Sequence, residues 1–406
     1  MLRIAMKACF FLITLCLLAG AAWAEAPIKV GILGPFSGSL AHNAEEMKNG
    51  MLLALEEING SGGINGRQLE LVYGDSSCNP AQGMAAAKKL ITRNDVLVMG
   101  GGYCSSVNIA TSAVAQQEET PNVVAIAISP TITEQGNSYV FRSCPSSPQF
   151  LDGMNSWISE VKKPKTVAFL MENTDYGRDA EKIWLQVSKE IGAKVLANLY
   201  FQIGATDFTT EISKLKELAP EVVFHIASTT EAALVQKQSK ELGFTTQWIS
   251  AGGQFTQAFY EMTGSMSEYA MGTVIDPNLQ VKNPVAVKFV ENYKKKFENA
   301  RPGMFGAQGY DNLIVIANAI QRAGKLSGDL AEDRRKVREA LVTTDIELIQ
   351  GRISFDEKGQ LTNTFVPLVQ IRTNSNCKPE LFIVYPEKLA TKDYESPLPW
   401  NERTCK

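Results

Sequence analysis

The chain has 406 residues, with 40 Lys and Arg against 43 Asp and Glu, a formal net charge of −3, two His and seven Cys. Its length sets a prior of two or three domains and excludes a peptide-like chain. At 45% hydrophobic and 20% charged residues it has the composition of a soluble globular protein. It lacks the basic excess that would coat a phosphate backbone, so no nucleic-acid partner is expected.

In chain order, Arg3 and Lys7 precede an apolar run from Ala8 to Ala22 that ends at Ala22-Trp23-Ala24, a small-x-small cleavage signature. Residues 1–24 are read as a cleaved signal peptide, which makes the mature protein exported and mildly acidic. Ile28 to Leu33 is the first predicted strand. A helix from about Asn43 to Ile58 follows, with Met47, Met51, Leu55 and Ile58 on one stripe at helical spacing. The glycines from Gly60 to Gly63 break the chain and Gln68 to Tyr73 returns as a strand. Asn79-Pro80 has the cap-then-Pro order that opens a helix through Ile91. Val96 to Met99 (strand), Ser106 to Gln117 (helix) and Val123 to Ile128 (strand) continue the alternation. These strands are apolar on both faces, as buried parallel strands should be.

Phe141 to Pro148 is rich in Pro and Ser and is read as a linker. A second series begins at Thr166 to Leu170 and repeats the pattern. Helices start at Tyr176, Thr209 and Glu231, and strands lie near Val195, from Glu221 to Ile226 and near Trp248. After Gly272 to Pro277 come three helices (Pro284 to Phe297, Gly306 to Ala323, Ala331 to Leu341). Ile353 to Phe355 and two last strands, Thr364 to Ile371 and Leu381 to Val384, complete the chain. Two α/β layers in one chain point to two doubly wound units.

Export places the cysteines where disulfides persist. Without the signal, Cys78, Cys104, Cys144, Cys377 and Cys405 remain, an odd number. Cys78 and Cys104 each follow a predicted strand and are paired. Cys377 and Cys405 bracket a Pro-rich tail that needs a staple and are paired as well, which leaves Cys144 free. His42 and His225 are far apart and no Cys-x-x-Cys occurs, so no metal is expected.

Val30-Gly31-Ile32-Leu33-Gly34-Pro35-Phe36-Ser37-Gly38, the stretch Asn59 to Arg67, Cys104-Ser105-Ser106 and Ser129-Pro130-Thr131-Ile132-Thr133 occur in that order. They are followed by Tyr139 to Arg142, Asp175-Tyr176-Gly177, Gly309-Tyr310-Asp311 and Phe355 to Gly359. The ordered set resembles the branched-chain amino-acid binding proteins of bacterial ABC importers. The resemblance implies a type I periplasmic binding protein fold, with two doubly wound α/β lobes joined by three hinge crossovers. It places lobe one at 27–142 plus 277–353 and lobe two at 143–276 plus 354–406, with hinges near Arg142, Asp276 and Ser354.

In open α/β sheets ligands collect at the carboxyl ends of strands, where helix N-termini present unsatisfied N–H groups. Ser105 and Ser106 sit at one such junction, and Thr131 and Thr133 at the next. On the residues alone all four are equally ordinary helix caps. The resemblance implies that Ser105 and Thr133 hold a ligand carboxylate, that Thr131 contributes its carbonyl, and that Tyr176 covers the ligand from lobe two. Ser228 and Thr229 stand where relatives carry an aromatic contact. Phe36, Tyr103 and Phe255 add aromatic surface near the cleft, which core packing also explains. The amino-acid binders place an acidic residue for the ligand ammonium in the loop Ser250 to Gly253, where this chain has Gly252. Glu172, Glu231 and Asp311 are the acids that could supply that charge from another loop, because a buried ammonium without a partner is costly.

The expected function is capture of a small carboxylate in the periplasm and delivery to an ABC permease. A branched-chain amino acid is the first choice of ligand, and an aromatic or other non-amino carboxylate the second. A ligand sensor for a membrane receptor is the rival use of the same fold. There is no Gly-x-Ser-x-Gly elbow and no Gly-x-Gly-x-x-Gly after the first strand. Neither enzyme activity nor a cofactor is expected, and the protein is read as a monomer.

Overall fold

A computed structural model describes residues 25–362 and 364–405. The predicted signal peptide, residues 1–24, lies outside the described residues. The first half lays down β1 (Ile28–Gly34), α1 (Ala41–Gly60), β2 (Leu69–Asp75), α2 (Pro80–Thr92), β3 (Val98–Gly101), α3 (Ser105–Gln117), β4 (Asn122–Val124), α4 (Thr131–Glu134) and β5 (Val140–Arg142). Its five strands form an all-parallel sheet in the order β2-β1-β3-β4-β5. The strands β3, β4 and β5 are buried along their whole length, which is why their sequences run apolar without alternation.

The chain then builds α5 (Ser147–Trp157), β6 (Thr166–Glu172), α6 (Asp175–Glu190), β7 (Lys194–Phe201), α7 (Thr209–Leu218), β8 (Val222–Ile226), α8 (Thr229–Glu241), β9 (Gln247–Ala251), α9 (Gln257–Thr263) and β10 (Met271–Thr273). It returns through α10 (Pro284–Lys296), α11 (Met304–Ala323), α12 (Leu330–Val342) and the hairpin β11 (Asp345–Leu348) and β12 (Gly351–Ser354). It ends on β13 (Leu368–Thr373) and β14 (Pro379–Tyr385). The second sheet runs β14-β13-β10-β9-β8-β6-β7, so its parallel part repeats the strand order of the first. The last two strands are antiparallel additions.

The helix α11 packs on α1 and on β3 of the first sheet. That approach needs glycine: a Cβ on Gly50 would lie 1.8 Å from the carbonyl oxygen of Gly306, and one on Gly309 would lie 2.2 Å from that of Met47. Helix α5 packs on β10, β13 and β14. The chain therefore passes between the sheets three times, after β5, after β10 and after β12.

Two expectations are corrected here. The predicted strand Val123 to Ile128 stops at Val124, because the amides of Ala125, Ile126 and Ala127 turn to the carbonyls of Gly101 and Gly102 at the end of β3. The Pro/Ser-rich stretch is not a plain linker. Phe141 and Arg142 belong to β5, and Ser147 opens α5 behind a capping box in which Ser146 pairs with Gln149.

Cys78 is bonded to Cys104 and Cys377 to Cys405, and Cys144 is free and buried. The second disulfide ties the tail to the β13–β14 turn, where Trp400 Nε1 also donates to the carbonyl of Phe244 at 2.8 Å. Replacing Cys377 and Cys405 together by Ser opens a bridge across 28 residues. The chain-entropy account gives a loss of about 3.5 kcal/mol. Urea unfolding of the double variant should show that loss, and an unchanged midpoint would contradict it.

Candidate ligand-binding site

The carboxyl ends of the two sheets face each other across a cavity of about 70 Å³, measured as room for water-sized occupants. That is several times the roughly 10–15 Å³ one water needs, so the space suits a small molecule and not a peptide chain. The first sheet contributes Tyr103, Ser105 and Ser106 from the junction of β3 and α3, and Ile126 to Ile128 from the segment after β4. The second contributes Glu172 and Tyr176 around the end of β6, Ser228 after β8 and Gly252 after β9. Phe150 from α5 and Met304, Phe305 and Gln308 from α11 complete most of the wall.

Of the expected site residues, Tyr103, Ser105, Ser106, Tyr176, Ser228 and Gly252 are on the cavity wall. Phe36, Thr131, Thr133 and Thr229 are not. Phe36 packs edge-on against Tyr73, with ring centroids 5.4 Å apart, and Thr131 is exposed. Thr133 is buried and turned inward, donating to Pro130 O and Gln360 Oε1 and accepting from Arg142 Nη2. Because β4 ends early, the segment that reaches the cavity is the apolar Ile126-Ala127-Ile128, which precedes both threonines in the chain. Thr229 is buried at the contact between the halves, where its hydroxyl donates to Asn43 Oδ1 at 3.2 Å. Phe255 is buried in the core.

Local structure fixes the side chains that do reach the cavity. Ser105 opens α3 next to the Cys78–Cys104 disulfide, and its Oγ accepts from Ser129 N at 3.3 Å. Tyr176 follows the Thr174 cap of α6, and its hydroxyl donates to the carbonyl of Ala251 at 2.9 Å. Tyr103 accepts from Asn43 Nδ2 at 2.7 Å and packs its ring 5.1 Å from that of Phe305. Gly252 has φ +69, a left-handed conformation, and a Cβ there would sit 3.2 Å from Met304 Cε. An acidic side chain at this position would strain the backbone and press on Met304.

Among the lining residues described, Glu172 carries the one charge. It is 5% exposed, with Oε1 accepting from Thr174 Oγ1 at 2.8 Å and Oε2 from Ser228 Oγ at 3.4 Å. Burial pushes its carboxyl up to about 7, and the nearby Glu231 adds to the rise. Asp311 is also raised to about 7 by burial, but it lies in α11 and accepts from the amides of Ile349 and Gln350. Burial lowers His225 to about 3, so it is neutral, with Nδ1 against Gln254 Nε2 at 2.9 Å. No group of three or more potential metal ligands occurs among the described residues.

A family model described as "Periplasmic binding protein" matches residues 27–376. The leucine-, isoleucine-, valine-, threonine- and alanine-binding protein of Pseudomonas aeruginosa is 30% identical over 336 residues, covering 83% of this chain and 87% of that one. A Leu/Ile/Val-binding protein homologue of Brucella abortus is 30% identical over 357 residues, covering 87% of this chain and 93% of its own. Among solved structures, a leucine binding protein from Thermotoga maritima is similar at 26% identity and a TM-score of 0.77, covering 87% of this chain and 97% of that one. A solute binding protein from R. palustris in complex with benzoate has 18% identity and a TM-score of 0.78, covering 88% and 96%, a likeness of fold.

A carboxylate raised by burial favours the protonated folded state, because unfolded Glu titrates near 4.3. Its contribution to stability is full below about pH 4 and is lost as pH rises through about 7. Urea unfolding of the ligand-free wild type should therefore lose about 2–4 kcal/mol relative to Glu172→Gln between roughly pH 4.5 and 8. Parallel pH profiles for the two proteins would contradict the burial of an uncompensated acid.

Proposed function

The chain belongs to the periplasmic binding protein family, and from that premise we propose that it is an exported solute-binding protein. It closes on a small carboxylate-bearing molecule, a branched-chain type of amino acid first, and delivers it to an ABC importer permease. The observation that carries this reading is a small, mostly apolar cavity walled by the strand ends of both halves, with a helix N-terminus on one side. The first N–H groups of α3 have no intrahelical partner, and with the Ser105 and Ser106 hydroxyls they suit a carboxylate. Ile126, Ile128, Phe150 and Phe305 suit an aliphatic or aromatic body. Tyr176 covers it from the opposite half. The relatives named for leucine, isoleucine and valine support the same choice.

In this reading lobe one is 27–142 plus 277–353 and lobe two is 143–276 plus 354–406. They rotate about hinges near Arg142, Asp276 and Ser354. Closure excludes water and slows release of the solute. The aromatic surfaces of Tyr103, Phe150 and Phe305 favour an aromatic carboxylate as the second reading.

Thermal unfolding with each of the twenty common L-amino acids and with benzoate tests the choice. A ligand at a hundredfold excess over its Kd stabilises by about 2.7 kcal/mol, a shift of a few degrees. The expected responders are leucine, isoleucine or valine. A response to benzoate alone would favour the second reading, and no response in the panel would contradict both. For the responding ligand, Ser105→Ala should weaken binding roughly tenfold or more. Thr133→Ala should leave affinity unchanged, since Thr133 is off the cavity. The reverse ranking by calorimetry would overturn this assignment of roles.

A further inference from the structure

Resting on the reading that the cavity holds a solute, we propose that Glu172 accepts an ammonium group of that solute, so that the site selects amine-bearing molecules with a compact apolar body. Glu172 ends β6 on the wall opposite the start of α3, and among the described lining residues no Lys, Arg or His faces it. Thr174 and Ser228 each donate one hydroxyl to it. A carboxylate has about four lone-pair sites, so it keeps capacity for further donors.

The groups around Glu172 make a cation welcome. Glu231 from α8 is 1% exposed; its Oε1 accepts from Gly204 N at 2.7 Å and its Oε2 has no partner among the described residues. The other titratable neighbours are Tyr176 from α6 and Tyr103 ahead of α3, both held neutral by burial, and His42 of α1, which lies near Glu231 and is held below its ordinary value by burial. Every facing group is thus neutral or acidic, and the two aromatic rings add surfaces that attract a cation. Two buried acids without a counter-charge are unfavourable, and an ammonium entering from solution relieves that. With the carboxylate at α3 and the ammonium at Glu172, the two poles of an amino acid meet opposite walls of the cavity. This placement does without an acid at Gly252, whose backbone disfavours one. Asp311 is committed to backbone amides away from the cavity, which leaves Glu172 as the acid in reach.

Docking a cation beside a carboxyl that titrates at about 7 ionises it, so at about pH 6 binding should release a proton to solvent.

The test is calorimetry with three probes on one carbon skeleton: L-leucine, 3-methylbutylamine (ammonium only) and 4-methylpentanoate (carboxylate only). Wild type and Glu172→Gln are compared at about pH 6 in two buffers of different ionisation enthalpy. Wild type should bind L-leucine more tightly than 4-methylpentanoate and release a proton with the first but not the second. In Glu172→Gln, L-leucine and the amine should weaken roughly tenfold to a hundredfold while 4-methylpentanoate holds its affinity. Wild type that takes 4-methylpentanoate as tightly as L-leucine overturns the role of Glu172 and leaves carboxylate capture standing. A variant that weakens all three probes alike also overturns it, by reducing Glu172 to a structural part. If the variant does not fold, the wild-type proton count decides, and its absence with L-leucine overturns the proposal. Wild type that binds none of the three overturns both the proposal and the branched-chain reading beneath it.

Discussion

Three crossings of the chain have to meet at one seam, and a buried guanidinium ties two of them. Arg142, at the end of β5, is 0% exposed. It donates to Ser129 O, to Gln360 Oε1 and to Thr133 Oγ1, and its amide donates to Gly359 O. Gln360 in turn donates to Gln149 Oε1 at the start of α5. The first crossing, the third crossing and the segment that leaves the cavity are thereby held by one side chain. Its hydrogen-bond acceptors are all neutral, and burial lowers the guanidinium to about 10. The planar guanidinium keeps its charge and directs its five donors along fixed in-plane lines to separate acceptors, whereas a lysine would gather them around one nitrogen atom.

From that seam the cavity follows. Ser129 lies just past Ile126-Ala127-Ile128, so the bond from Arg142 to its carbonyl positions the apolar wall. Across the gap, Asn43 in α1 links Tyr103 to Thr229 in α8, and Ser129 Oγ donates to Asp179 in α6. These are contacts between side chains of the two halves, few and polar, of the kind that the proposed closure would make and break. The rigid parts sit behind them. Gly50 and Gly309 let α11 lie against α1 and so bring Met304 and Phe305 to the wall, and the Cys78–Cys104 bridge fixes the start of α3.

Much of this architecture is legible in the sequence because buried parallel strands write themselves as apolar runs and amphipathic helices as stripes. The elements from β1 to α3 and from β6 to β9 were readable for that reason. The fifth strand was hidden because Val140-Phe141-Arg142 is short and ends in an arginine, whose burial depends on acceptors far along the chain. The helix α5 did carry a local signal, Ser146 with Gln149, which the neighbouring prolines masked. At the site, Ser105 and Tyr176, expected at strand-to-helix junctions, and Tyr103, expected as aromatic surface near the cleft, lie on the cavity wall. Thr131 and Thr133 lie off the cavity wall because the apolar run Val123 to Ile128, which reads as one strand, leaves the sheet at Val124. Its last three residues line the cavity, and no local pattern marks that exit. Phe150 and Phe305 come from helices whose positions depend on the whole fold.

The account stands on the two halves closing around a solute held between them. Small-angle scattering of the full mature chain, alone and with saturating L-leucine, tests this most directly. The account predicts a smaller radius of gyration and a more compact distance distribution with the amino acid bound. Superimposable profiles, with binding verified in the same samples, would contradict it.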